Sequence, residues 1–382
     1  MRKLFLAACL SLIGFAFIAN AQPQIASPEA VRKAGERMSQ GDIAGAMAIL
    51  DKAIEKKKDL FEIYRMRSAL RMMSRDVNGA IDELTRALEI KPNDAATYAL
   101  RADFLMFVRK NEPALKDYDS AIAYGLKTEK AFTRRANIKR DMGDYDAAIA
   151  DYQAAIALRP LYASAHIGLA VTFESQGKPD AATAQLEGFV NQYEEYKNGK
   201  LPKVKGEQIG EIVSIERKDD EKNGTETFLR GEQSRMEIKG NMTPEALQRL
   251  NEQMEQRMNA AVAYLNLASS YRRRNDFDKA LATIEKSLAM KPGAPASIAL
   301  RGRIRLDKGD AGGALEDLNE AIRRMPGNFA PLADRGIALL MQGKDAEAQK
   351  DFDKFLQMFP NGRENLNKRI AAVKEKRDAQ PQ

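Results

Sequence analysis

The chain has no tryptophan, one histidine and one cysteine in 382 residues. His166 has no second imidazole or thiolate to complete a zinc site, and no serine, histidine and aspartate set can be assembled around it. No glycine-rich phosphate loop and no metal-ligand spacing is present, so no cofactor and no metal are expected. The cluster Asp219, Asp220 and Glu221 lacks the glycine and the spacing of a calcium loop and reads as a solvated turn. The formal charge is +7, with acids and bases interspersed, which is well short of the concentrated basic stripe of a nucleic-acid binder.

The first 21 residues read as an export signal: Arg2 and Lys3, an apolar run from Leu4 to Ile18, then Ala19, Asn20 and Ala21 as a small-x-small cleavage site. The run is short of the roughly 20 apolar residues of a membrane span. Leu6 to Cys9 has the letters of a lipoprotein box, but too few apolar residues precede Cys9. Cleavage after Ala21 removes the cysteine and two positive charges, taking +7 to +5 and leaving a mature chain without disulfides. An exported protein, periplasmic or secreted, is expected.

What the chain has in abundance is alanine at fixed intervals. From Ser27 a 34-residue pattern runs without a gap through 27–60, 61–94, 95–128, 129–162 and 163–196. In the fourth copy Phe132, Ala136, Tyr145, Ala148, Tyr152, Ala155 and Pro160 stand at offsets 4, 8, 17, 20, 24, 27 and 32. Ala46, Ala80, Ala114, Ala148 and Ala182 repeat at offset 20. After Asn191 the pattern dissolves into a charged stretch, expected over 197–242 as a flexible insertion or a small hairpin in which Ile212–Arg217 and Thr225–Arg230 flank the turn signal Asn223-Gly224. Thr243 reads as an N-cap before Pro244, and 243–260 as a decayed half-repeat with Ala246 and Leu250 at offsets 20 and 24. Copies resume at 261, 295 and 329, and 363–382 reads as a capping helix with Leu366, Ile370 and Val373 on one stripe.

This pattern resembles the tetratricopeptide repeat, a helix-turn-helix unit with an early aromatic, small residues where its helices cross, and a closing proline. The resemblance implies an all-α solenoid of helical hairpins, about five plus three repeats either side of the insertion, stacked because one unit cannot bury its own apolar face. It also implies a non-enzymatic scaffold that binds a peptide or protein segment in a concave groove. The alternatives are an envelope hydrolase using paired carboxylates or a self-assembly module; no nucleic acid is expected as partner, and a homo-oligomer stays open. The family's carboxylate clamp is matched only at Lys130 and Arg134, while Arg65, Ala69 and Leu100 depart from it.

Five repeats carry arginine at offset 7, Arg67, Arg101, Arg135, Arg301 and Arg335, and each has an acid at offset 23, Glu83, Asp117, Asp151, Asp317 and Asp351. Repeats with Lys33, Leu169 or Leu267 at offset 7 have Ile49, Gln185 or Thr283 instead. Such coupling predicts a charge-assisted pair joining the two helices of one repeat. His166, at the aromatic offset 4, is expected to be packed rather than catalytic.

The resemblance places offsets 2, 5, 9, 12 and 13 on the groove. Offsets 12 and 13 make Met38, Met72, Met73, Met106 and Phe107 an apolar stripe that ends in charge at Arg140, and that stripe is the candidate partner-binding surface, with self-coverage by the chain as its alternative. Arg272 and Arg273 make the second groove basic at one end, suited to an acidic or C-terminal segment or else a solvated face.

Overall fold

The computed structural model describes residues 28–57, 60–199, 212–216, 235–238 and 244–379. The expected signal, the turn signal Asn223-Gly224, the acid cluster at 219–221, the segment Thr225–Arg230 and Thr243 lie outside them. Contacts divide the chain into two compact units, one running to Leu158 together with Ile209–Asn241, the other comprising Arg159–Gln208 and Met242–Gln382.

The first unit is built from hairpins: α1 (Glu29–Ser39) with α2 (Ile43–Glu55), α3 (Leu60–Met73) with α4 (Val77–Ile90), α5 (Ala95–Phe107) with α6 (Asn111–Ala123), and α7 (Glu129–Asp141) with α8 (Tyr145–Leu158). Strands β1 (Ile212–Glu216) and β2 (Arg235–Ile238) pair antiparallel. The second unit holds α9 (Ala163–Ser175), α10 (Pro179–Gly199), α11 (Pro244–Arg273), α12 (Phe277–Met290), α13 (Pro295–Asp307), α14 (Ala311–Arg324), α15 (Pro331–Met341), α16 (Asp345–Met358) and α17 (Arg363–Asp378).

Each hairpin follows from local chemistry. The residue at offset 15 of every repeat has positive φ, and it is glycine at 41, 143, 177, 309 and 343 but Arg75, Arg109 and Asn275 elsewhere. This left-handed residue ends the first helix. Two positions later the second helix begins, capped by aspartate side chains such as Asp42 on the Gly45 N–H at 2.8 Å, Asp76 on Gly79 at 2.9 Å and Asp310 on Gly313 at 2.9 Å. The offset-20 alanines, from Ala46 to Ala348, are fully buried where the two helices cross. At Gly336 even a methyl group would strike the Phe352 ring, so close approach needs glycine there.

In the second unit the chain departs from the expected half-repeat. Residues 244–273 form one continuous helix, α11, with no turn before 261. Its last 13 residues are the first helix of the repeat at 261, and its first part is an extension of that helix towards the N-terminus. α10 likewise runs on to Gly199. Phe189, Val190 and Tyr193 of α10 pack directly against Ala260, Ala263, Tyr264 and Leu267 of α11. The insertion is therefore spliced into the short turn between two stacked repeats, and it replaces no helix of either. At the other end α17 buries Leu366 against Ile337 and Leu340, with Ile370 and Val373 alongside.

Candidate functional site

The first helices of neighbouring repeats contact one another as a layer in each unit, α1 with α3 in the first, and α9 with α11, α11 with α13 and α13 with α15 in the second. That layer is held by ion pairs. Arg101 Nε and Nη2 both donate to Asp117 at 2.7 Å, and Arg135 donates to Asp151 at 2.8 and 2.6 Å. Arg335 does the same with Asp351 at 2.7 and 2.6 Å, and Arg301 with Asp317 at 3.0 and 2.7 Å. Bonding to the buried carboxylate holds the guanidinium pKa of Arg101, Arg135 and Arg335 above its ordinary value, against the opposing effect of burial.

Sequence reasoning missed the remaining contacts of these arginines. Nη1 reaches offset 25 of the preceding repeat: Thr85 from Arg101 at 3.0 Å, Asp119 from Arg135 at 2.9 Å, Glu285 from Arg301 at 2.9 Å and Asn319 from Arg335 at 3.0 Å. Each arginine joins three helices. Reading offset 25 against the next repeat's offset 7 would have revealed it. Offset 11 adds a second cation in three repeats: Arg71 on Glu83 at 3.0 Å, Lys139 on Asp151 at 2.8 Å and Arg305 on Asp317 at 2.9 Å.

His166 is a structural residue. Its Nε2 lies 2.8 Å from the Pro160 carbonyl and its Nδ1 2.7 Å from Gln185 Nε2, so Nε2 carries the proton and Nδ1 accepts from the amide. The ring rests on Phe189 at 4.8 Å, and burial lowers the imidazole pKa, opposed by the Pro160 bond.

The expected methionine stripe is mostly covered. Met72 is buried among Ala69, Ala80, Leu84 and Phe104, while Met73 packs on the same cluster. Met38 packs on Val31, Ala46 and Leu50, and Met106 on Leu105 and Tyr118. These side chains turn into the contact between successive repeats because offset 12 borders the next first helix. Phe107 alone of the stripe is exposed, at 54 %. Arg140 is tied to Asp141 at 2.8 Å and to the Tyr152 hydroxyl at 3.2 Å. Polar pairs occupy the rest of this face, with Tyr118 donating to Asp103 and Tyr152 to Asn137, each at 2.6 Å.

The second unit's layer differs. Arg272 pairs with Asp307 at 2.7 Å and Arg273 with Glu174, so the expected basic end is neutralised internally. Further along, Arg369 and Arg303 both face Asp334, at 2.6 and 3.4 Å. Met254, Met258 and Val262 form an i, i+4, i+8 row on α11, exposed at 44, 37 and 46 %. On the opposite side of α11 Gln256, with its amide turned to suit both partners, donates to the Leu161 carbonyl and accepts from Arg159, each at 3.0 Å, while Glu255 pairs with Arg159 at 3.4 Å. Tyr264 and Tyr271 donate to Glu194 and Glu187 of α10 at 2.6 and 2.5 Å, and burial together with these bonds raises both phenol pKa values. The extension is thus gripped on one side and bare on the other.

A stack of helical hairpins with a period of 34, small residues at each crossing and arginine rivets between layers defines a helical repeat protein. Residues 136–177 match the family described as TPR repeat, and 265–329 and 299–363 that described as tetratricopeptide repeat. The chain carries tetratricopeptide repeats over these residues. No curated protein matches it. Its fold is similar to a tetratricopeptide repeat protein from Parabacteroides merdae, 14% identical, covering 81% of this chain and 98% of that one with a TM-score of 0.51. The C-terminal part of a TPR repeat-containing protein from Cytophaga hutchinsonii is 15% identical over 78% of this chain and 95% of its own, with a TM-score of 0.43. Among the described residues no helix is long and apolar enough to cross a membrane.

Proposed function

We propose that this chain is a non-enzymatic scaffold of the cell envelope that holds a peptide or protein segment of a partner against the layer of first helices. Tetratricopeptide repeats usually mediate protein interactions. The observation that carries the reading is the row of Met254, Met258 and Val262, exposed along the body of one first helix, with Phe107 at the end of another in the other unit, whereas the other large apolar side chains exposed among the described residues stand at helix ends and in the turns after them. In the second unit Arg272, Arg273 and Arg369 of this layer each pair with an acid, as expected of a surface that recognises shape rather than performs acid-base chemistry. Export rests on the charged start, apolar run and small-x-small site of residues 1–21, and N-terminal sequencing of the purified protein should begin at Gln22.

Immobilised full-length protein should capture partners from an envelope extract of its own organism. Phe107→Asp or Val262→Asp should remove captured partners while leaving the far-UV circular dichroism unchanged. Capture that survives both substitutions would sink the assignment of this layer as the binding surface.

A further inference from the structure

We infer that the partner segment held by the second unit is uncharged and apolar, and that the N-terminal extension of α11 is the ledge that lengthens its binding surface. This rests on the scaffold reading and gives its partner a chemistry. The floor is the exposed row of Met254, Met258 and Val262 on α11, which touches α13, where Ala296 and Ala299 hold offsets 2 and 5. Charge complementarity decides what fits. The bordering ions are already engaged: Arg272 with Asp307, Arg273 with Glu174, Arg159 with Glu255, and Arg257 with the Ala289 carbonyl at 3.2 Å. A charged segment would have to break one of these pairs or lose its own hydration against methionine and valine without compensation. A segment of large aliphatic side chains and neutral polar residues meets no such cost, and methionine adapts to its shape.

The extension is preorganised for this task. Gln256 and Glu255 fix it to the segment 159–161, and Tyr264 and Tyr271 fix the same helix to α10, so the Met254, Met258 and Val262 row is held before any partner arrives. The two alanines on α13 leave room for an approaching backbone.

The test uses three labelled peptides of about 15 residues, roughly four helical turns, each with leucine and alanine on one face. Their other positions hold glutamine, glutamate or lysine. Fluorescence anisotropy with the full chain should show the glutamine peptide binding at least about tenfold more tightly than either charged one, a gap of about 1.4 kcal/mol. Val262→Asp and Met258→Asp should each weaken it about tenfold, and Met358→Asp, at an exposed position on the second helix α16, should leave it unchanged. Should an aspartate variant melt early, Val262→Asn and Met258→Gln carry the same expectation. Preference for a charged peptide, indifference to both positions, or a wild-type dimer that Val262→Asp dissociates would overturn the inference. Natural capture that depends on Phe107 but not on Val262 would overturn it while leaving the scaffold reading intact; no capture at all would end that reading too.

Discussion

An arginine at offset 7 is worth what its neighbours make it. Asp117 receives both donors of Arg101, and offset 11 of that repeat is Leu105, so Arg101→Leu strands a buried carboxylate and should cost about 3 to 5 kcal/mol. Asp151 keeps Lys139 at 2.8 Å when Arg135 is removed, so Arg135→Leu should cost about 1 to 2 kcal/mol less than Arg101→Leu. Urea unfolding of the two variants checks the order, and Arg101→Leu with Asp117→Leu should recover much of the loss. Repeat two uses glutamate, and there Arg67 reaches Glu83 only at 3.5 Å while Glu83 Oε2 and Arg67 Nε find no partner among the described residues. The backbone spacing suits aspartate. Glu83→Asp should therefore restore the two-pronged pair and raise stability by about 1 kcal/mol, and a lower melting temperature would refute this. His166 offers a pH handle because it is the single histidine of the chain. Burial depresses its folded pKa, so below about pH 6.5 the unfolded chain binds the proton first and stability falls, by at most about 1.4 kcal/mol per pH unit. Tyr98 makes the equivalent bond to the Pro92 carbonyl at 3.1 Å, so His166→Tyr should keep the fold and remove the slope between pH 6.5 and 5.5.

At the scale of the helix, the period made the hairpins legible and the pairing of offsets 7 and 23 made their rivets legible, because both signals sit inside one repeat. What escaped depends on the neighbouring repeat. The offset-25 acceptor belongs to the preceding copy, and Met72 is covered by Phe104 of the following one. The fused helix α11 escaped for another reason: Ala246 and Leu250 match a second helix by letter, but nothing between them and Ala261 stops a helix, since 245–260 contain neither glycine nor proline. The exposed row of Met254, Met258 and Val262 was hidden by that misreading. If the insertion is only spliced into a turn, residues 200–243 are dispensable for folding. Replacing them with a glycine-serine linker of about 12 residues, whose root-mean-square span is roughly 20 Å, should leave a cooperative melt within about 3 °C of wild type. The α10–α11 cluster draws on residues 161–193 and 260–290, and a variant that melts without cooperativity would show that the insertion contributes to it.

For the molecule as a whole, a repeat array distributes stability as a sum of nearest-neighbour contacts, so damage at one end should stay near that end. The C-terminal helix α17 tests this. It stands where another repeat's first helix would stand, covering Ile337 and Leu340 with Leu366 and placing Arg369 2.6 Å from Asp334. Ending the chain after Gly362 uncovers that apolar surface and leaves Asp334 facing Arg303 alone, at 3.4 Å. Hydrogen exchange should then accelerate in α15 and α16, by about a hundredfold if the lost burial amounts to roughly 3 kcal/mol. Amides of α3 to α6 should exchange at their original rates, because Leu366 and Arg369 anchor α17 on α15. Restoring only Leu366 and Arg369 on a polyalanine helix should return most of the protection, since these two side chains supply the buried anchor and the ion pair. Uniform acceleration from α3 to α16 on truncation would instead mean that the repeats unfold as one cooperative block, and the additive account of this chain would fail.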